Sequence, residues 1–214
     1  MDLLERTEQI SKVAEQVLIE LTQRNYEKIC EYYNTNKDAI ISDFYDAVHK
    51  LISLTKEHQN SFCKEAVQYV AVSYLLSSTI TKSYEFQLSL MCEQYFLDPI
   101  ESCVYWSPRW LFADVDKDWD VLFNRVRKDI IRLHPYELDQ IWRSYICSFY
   151  YGLTALFVAE HVKAAAILGG LENLRLAREV SFIYGGIMDQ FVQLDVLRME
   201  KENEVFSHKD GSEI

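Results

Sequence analysis

The stretch ICSFYYGLTALFVA, residues 146–159, contains no charged side chain and decides the fold that we expect for this chain. A helix that is apolar on all sides must be buried on all sides or lie in lipid. A membrane-spanning helix needs about 18 or more such residues. This run is shorter, because Arg143 and Glu160 close its two ends. We therefore interpret residues 135–161 as the central helix of a soluble helical domain.

The motif at the start of this helix recurs later in the chain. SFYYG at residues 148–152 returns as SFIYG at residues 181–185, and a Gly-Gly turn signal at residues 169–170 lies between them. A chain reversal there places the two motifs side by side, and their terminal glycines permit close helix packing. Chance similarity between two buried aromatic helices is the alternative. The repeat predicts a long C-terminal antiparallel helix hairpin over residues 135–200.

Composition favours an all-α protein. Only 6 of the 214 residues are Gly and 3 are Pro, and so few breakers favour long helices. We therefore expect helices also over residues 62–80 and 84–96, and we find no strand candidate. The 5 cysteines are odd in number and scattered, without the spacing of a disulfide framework or metal site. The N-terminus lacks a signal-peptide pattern, which predicts a cytoplasmic protein without a membrane segment.

Charge restricts the choice of partners. The formal net charge is −11, which disfavours non-specific binding of nucleic acid by the molecule as a whole. It leaves room for a small DNA-reading face on an acidic body.

The N-terminal third contains the pattern of three short helices. An apolar stripe with Ile10, Ala14 and Leu21 predicts a first amphipathic helix. A short second helix follows, and then the turn formers Asn-Thr-Asn at residues 34–36 precede a third. This is the layout of a helix-turn-helix DNA reader.

Residues 29–44, ICEYYNTNKDAIISDF, resemble the recognition segment of tetracycline-repressor-type (TetR) regulators, which often reads IAxxAGVSKGAIYxHF. The resemblance implies a helix-turn-helix head, a helical ligand domain and two C-terminal helices that pair in a homodimer. It implies DNA contacts from a set of polar and basic residues: Thr35, Asn36, Lys37 and Ser42, with Arg24 and Lys28 near phosphate.

The segment also departs from the family at four positions. Tyr33 replaces a small alanine at the crossing of the two helices, and Asn34 replaces the turn glycine. Ile41 and Asp43 replace a tyrosine and a histidine that contact phosphates in the family. An aspartate there repels DNA, so the resemblance supports the fold more than it supports operator binding.

An aromatic loop is the best candidate for a ligand site. Residues 105–112 read YWSPRWLF, with two tryptophans flanking an arginine. Such a group lines a pocket for a small apolar or aromatic ligand, or contacts a partner; a lid packed on the core is the alternative. The predicted ligand-binding residues are Tyr84, Trp106, Arg109, Trp110 and Phe149.

Other motifs are weaker. Aspartates alternate over residues 114–120 as in half of a calcium loop, but Trp119 and Arg125 occupy the positions of its glycine and glutamate. Acidic residues that meet a helix N-terminus explain the pattern better. Arg127 and His134 only weakly resemble the motif of HEPN-type ribonucleases. No phosphate loop or nucleophile elbow occurs, and we predict no catalytic residues, no metal and no cofactor.

Two functional hypotheses follow. The first is a ligand-responsive transcriptional regulator with a helix-turn-helix head (residues 1–50), a helical ligand-binding and dimerisation domain (51–202) and a disordered tail (203–214). It binds operator DNA and a small apolar or aromatic ligand, and it dimerises through residues 135–200. The alternative is an acidic all-helical interaction module, of the antitoxin, immunity or adaptor type, without DNA binding.

Overall fold

Helices and one five-stranded sheet make up the protein in a computed structural model that describes residues 3–187 and 189–199. The helices are α1 (Leu3–Ser61), α2 (Leu76–Thr81), α3 (Val115–Asp129), α4 (Tyr136–Tyr145) and α5 (Tyr151–Leu168). The strands are β1 (Val67–Tyr74), β2 (Phe86–Met91), β3 (Cys103–Trp106), β4 (Leu176–Gly186) and β5 (Phe191–Arg198). The predicted all-α fold is therefore wrong, and the predicted disordered tail lies outside the described residues.

Helix α1 runs through the segment that we expected to turn. Only Asn36 leaves helical geometry, with φ −119° and ψ 19°. Its side chain donates to the carbonyl of Tyr32 at 2.9 Å, and the Thr35 hydroxyl donates to that of Glu31 at 2.9 Å. Such bonds, made one turn back, bend a helix without ending it. The turn formers thus produce a kink, and the helix-turn-helix head is wrong.

The apolar stripe of α1 explains why no separate head forms. Buried residues continue on both sides of the kink, and all of them belong to the one main core: Ile10, Ala14, Val17, Leu21, Ile40, Phe44, Val48 and Leu51. Burial of each large apolar side chain contributes about 1.5–3 kcal/mol. Residues 1–50 therefore pack as part of the body and do not form an independent domain.

The sheet has the strand order β3-β2-β1-β4-β5. Strands β1 and β4 are parallel, and the other neighbouring pairs are antiparallel. Val72 of β1 lies opposite Leu88 of β2 on one side and Tyr184 of β4 on the other. All three side chains belong to the main core, which the helices share.

Strands β4 and β5 replace the second helix of the predicted hairpin. Strand β4 lies between two neighbours, and its residues 180–186 are all buried. A strand buried on both faces reads as a continuous apolar run, which periodicity does not separate from a buried helix. The same ambiguity explains the wrong helices over residues 62–80 and 84–96, which contain β1, α2 and β2.

A helix does occupy the uncharged stretch. Helix α4, one π-helical turn (Ile146–Tyr150) and α5 follow one another without interruption. The rod is not buried on every side, since Leu156 is 69% exposed. Within the described residues, Tyr136–Leu168 is the one helix with the length and apolar composition to cross a membrane. The core helix of a soluble protein meets the same criterion.

The two repeated motifs place their glycines in unrelated surroundings. An added Cβ on Gly152, in α5, meets no atom within 4 Å. On Gly185, at the β4–β5 connection, it lies 2.3 Å from the carbonyl oxygen of Gln190. The predicted close approach of two helices at these glycines is wrong, and only Gly185 is sterically required.

This contrast makes a paired prediction. Gly152→Ala raises the free energy of unfolding by about 0.5–1 kcal/mol, because glycine costs that much in a helix. Gly185→Ala lowers it by about 1–3 kcal/mol, as overpacked sites do. Urea denaturation of both variants measures the difference. Equal effects of the two substitutions contradict the assignment of residues 176–198 to strands.

Candidate ligand-binding site

The cleft between α1 and the loop of residues 107–114, here called the α1–loop pocket, has a volume of about 420 Å³. This volume lies in the range of small-molecule sites. Six side chains, two of them phenols, define its chemistry: Asn25, Lys28, Tyr32, Arg109, Trp110 and Tyr150.

Two polar residues at apolar-stripe positions build the floor. Asn25 follows Leu21 by one turn on α1, and Asp118 lies four residues before Leu122 on α3; both are buried. The Asn25 amide donates to the Asp118 carboxylate and, at 3.1 Å, to the hydroxyl oxygen of Tyr150. The Tyr150 hydroxyl donates to Asp118 at 2.9 Å. These bonds fix the floor of the pocket between α1, α3 and the π-helical turn.

The negative charge of the buried Asp118 carboxylate is balanced by the guanidinium of Arg24. Arg24 donates to its carboxylate, and also to the side-chain oxygen Oδ1 of Asn25 at 3.2 and 3.3 Å. A buried carboxylate is tolerated when it is paired and hydrogen-bonded. Burial, followed by the charge of Asp118, raises the pKa of Tyr150. Its phenol therefore stays protonated and keeps donating to Asp118.

The mouth of the pocket carries an excess of positive charge. Lys28 and Lys117 bind Asp114 at 3.0 and 2.9 Å, and these hydrogen bonds, Lys117 first, lower the pKa of that carboxylate. Arg109 is exposed, and no described residue bonds its guanidinium. Two cations, Lys28 and Arg109, therefore line the pocket with one carboxylate, that of Asp114, on a chain whose net charge is −11.

One wall of the α1–loop pocket is the Trp110 indole, which neighbouring aromatic rings hold in a fixed orientation. The Trp110 ring stacks on Tyr33 with centroids 5.7 Å apart and meets Phe157 edge-on at 5.9 Å. The Tyr33 hydroxyl lies 3.1 Å from Nε2 of His161. Burial lowers the pKa of His161, so that its ring is neutral near pH 7. The indole is thus positioned before any ligand arrives.

The structure brings together part of the predicted ligand-binding set. Arg109 and Trp110 line the α1–loop pocket. Tyr84 shares an adjoining cavity of about 290 Å³ with Arg109 and donates to Asp116 at 3.2 Å. Trp106 is a core residue whose indole donates to Asp43 at 2.9 Å. Phe149 packs on Tyr145 and Tyr150 and does not line the pocket.

The residues predicted to contact DNA are distributed along α1. Arg24 and Lys28 belong to the α1–loop pocket region, as described above. Thr35 and Asn36 bond the preceding turn and line a shallow cavity with Lys28. Lys37 lies 5.8 Å from the ring centroid of Tyr33, and Ser42 is exposed. They do not form a separate reading helix.

Sequence reasoning missed Asn25, Asp118 and Tyr150 as parts of one site. A usable signal was present for the first two, because each is a polar residue in step with an apolar stripe. The alternating aspartates of residues 114–120 indicate for Asp118 only a place near a helix N-terminus. Nothing local indicates Tyr150, which lies 125 residues after Asn25.

The chain matches no protein-family model, no curated protein and no solved structure. In residues 3–187 and 189–199, no group of three or more His, Cys, Asp or Glu side chains is arranged to hold a metal ion. The geometry of the pocket is therefore the guide to function.

Tyr150→Phe tests the floor. A hydrogen bond to a charged group contributes about 1.5–3 kcal/mol, and we expect the free energy of unfolding to fall by that amount. Tyr105→Phe is the matched control, since Tyr105 is 59% exposed and a surface change of this kind stays within about 0.5 kcal/mol. Chemical denaturation at pH 7 checks both. Equal stability of the two variants rules out the Asp118 network as a fixed floor.

Proposed function

We propose that the protein is a receptor for a small anionic ligand with a flat apolar body, which binds in the α1–loop pocket. The observation that carries this proposal is the unpaired guanidinium of Arg109 beside the exposed face of the positioned Trp110 indole. Together they offer one anion site and one flat apolar surface at the mouth of a cleft of about 420 Å³.

Arginine suits the anionic group. Its planar guanidinium binds a carboxylate through two parallel hydrogen bonds, and no described side chain competes for that of Arg109. Lys28 adds charge, although it is shared with Asp114. The local excess of positive charge also attracts an anion that the rest of this acidic chain repels.

Aromatic rings suit the apolar body. Trp110 and Tyr32 both line the cleft, and offset stacking on such rings contributes beyond simple burial. Both polar hydrogens of the Asn25 amide and the hydroxyl hydrogen of Tyr150 are already donated within the floor. The floor therefore presents satisfied, neutral surface to the flat body, and an aromatic carboxylate is the ligand class that fits best.

We propose binding without covalent chemistry at this site. The lining residues include no cysteine, serine, threonine or histidine, so a thiol or aliphatic hydroxyl nucleophile beside an imidazole base is lacking there.

The ligand half of the regulator hypothesis is retained in this proposal. Operator binding, dimerisation through residues 135–200 and a cytoplasmic location stay predictions, and so does the interaction-module alternative. Any dimer contact in that range now involves α4, α5, β4 and β5, not a helix hairpin.

Arg109→Gln tests the ligand proposal. Calorimetric titration with benzoate and indole-3-acetate is expected to show saturable binding to the natural chain. The substitution is expected to weaken it at least about tenfold, which corresponds to about 1.4 kcal/mol. The neutral amide of the same ligand is expected to bind no better to the natural chain than the acid binds to the variant.

Arg127→Gln is the matched control, because Arg127 is an exposed arginine outside the pocket. We expect its titration to equal that of the natural chain. Failure of every aromatic carboxylate to bind at millimolar concentration overturns the proposal, and so does an equal loss in the two arginine variants.

A further inference from the structure

A second cavity lies against the sheet face that does not belong to the main core. Side chains of that face form a separate small cluster of Ala71, Met91 and Ile183. Residues 92–102, here called the flap, cover part of it. A space of about 280 Å³ remains there, lined mainly by Gln87, Ser89, Met91, Tyr95, Phe96 and Glu101. It shares no lining residue with the α1–loop pocket.

The flap is fastened at its base. The fully buried ammonium of Lys64 pairs with Asp98, whose carboxylate also accepts the backbone N–H groups of Cys92 and Ile100 at 3.2 and 3.0 Å. Burial acts to raise the pKa of Asp98, but the bond to Lys64 and these N–H groups lower it overall. Asp98 is therefore ionised and neutralised at pH 7, and it holds the cavity wall.

The middle of the flap rests on aromatic contacts. Tyr95 stacks on Tyr69 of β1 with ring centroids 3.9 Å apart. Phe96 packs against Phe191 of β5 at 5.8 Å and stays 37% exposed. The rings of Tyr95 and Phe96 thus form the outer wall of the cavity.

The buried Gln87 amide leaves one acceptor at the wall of the cavity unpartnered by the described residues. Gln87 is more than nine-tenths buried, and its amide nitrogen donates to the Ser89 hydroxyl at 3.2 Å and to Glu101 at 2.9 Å. Both amide hydrogens are therefore used. Its carbonyl oxygen accepts no hydrogen bond from the described residues. The wall thus offers acceptors, namely this oxygen and the Glu101 carboxylate.

The charged side chains around the cavity also favour a ligand that donates hydrogen bonds. No lysine, arginine or histidine lines the cavity. Of its two carboxylates, Asp98 is neutralised by Lys64, whereas Glu101 forms no ion pair with any described residue. One uncompensated negative charge therefore remains, next to two aromatic rings.

We propose that this cavity binds a small primary ammonium compound with an apolar body. The ammonium group donates to the Glu101 carboxylate, which no described cation neutralises, and to the side-chain carbonyl oxygen of Gln87, which accepts no hydrogen bond from the described residues. The rings of Tyr95 and Phe96 add cation–π attraction, and Met91 contacts the apolar body. This site prefers a cation, whereas the α1–loop pocket prefers an anion.

Phenethylamine and its neutral isostere 2-phenylethanol are suitable probes, since they differ only in the charged group. Calorimetric titration of the full chain at pH 7 is expected to show saturable binding of the amine. The alcohol is expected to bind at least about tenfold more weakly, and Glu101→Gln is expected to weaken the amine by at least the same factor.

Glu93→Gln is the matched control, because Glu93 is an exposed glutamate of the same flap outside the cavity lining; we expect unchanged affinity. Phe96→Leu is expected to weaken the amine several-fold without unfolding the chain, since Phe96 is partly exposed. Equal binding of amine and alcohol, equal affinity in Glu101→Gln and the natural chain, or no saturable amine binding at millimolar concentration overturns the proposal.

Discussion

The fold depends on burial of one face of α1. This 59-residue helix contacts α3, α4, α5, β2 and β3, and its apolar stripe supplies core residues on both sides of the kink at Asn36. An isolated helix gains little stability from propensity alone, and packing of an amphipathic face supplies the rest. The sheet in turn needs a cover for the face that carries Val72, Leu88 and Phe182. Helix and sheet therefore stabilise each other, and both halves of α1 pack into the same core.

The α1–loop pocket uses side chains of α1 that do not belong to its apolar stripe, whereas the second cavity lies beyond the end of this helix. Asn25 places a polar amide within the apolar stripe of α1, and this amide donates a hydrogen bond to Asp118 of α3. Further along α1, Lys28 and Tyr32 line the α1–loop pocket together with residues of the aromatic loop. Beyond the end of α1, Lys64 fastens the flap over the opposite face of the sheet. The α1–loop pocket has excess positive charge at its mouth, which suits an anionic ligand. The second cavity has a carboxylate without an ion pair to any described residue, that of Glu101, which suits a cationic ligand.

Sequence reasoning found what depends on local periodicity. It located the stripe of Ile10, Ala14 and Leu21 and a helix over residues 146–159. Arg109 and Trp110 line one cleft, and their ligand role stays a prediction. It failed where local patterns are ambiguous. The β4 run is apolar because both of its faces are buried, and the turn formers at 34–36 bond backward along the helix. The meeting of Asn25, Asp118 and Tyr150 depends on long-range packing, which no local spacing encodes.

Hydrogen exchange resolved along the chain tests the role of α1 most directly. Local stability follows burial, and a cooperative unit exchanges together. We expect the amides of residues 14–21 and 44–52 to exchange at the same slow rate as those of β1 and β4. Early exchange of residues 14–21 and 44–52 as one separate unit, with the sheet still protected, would contradict the account.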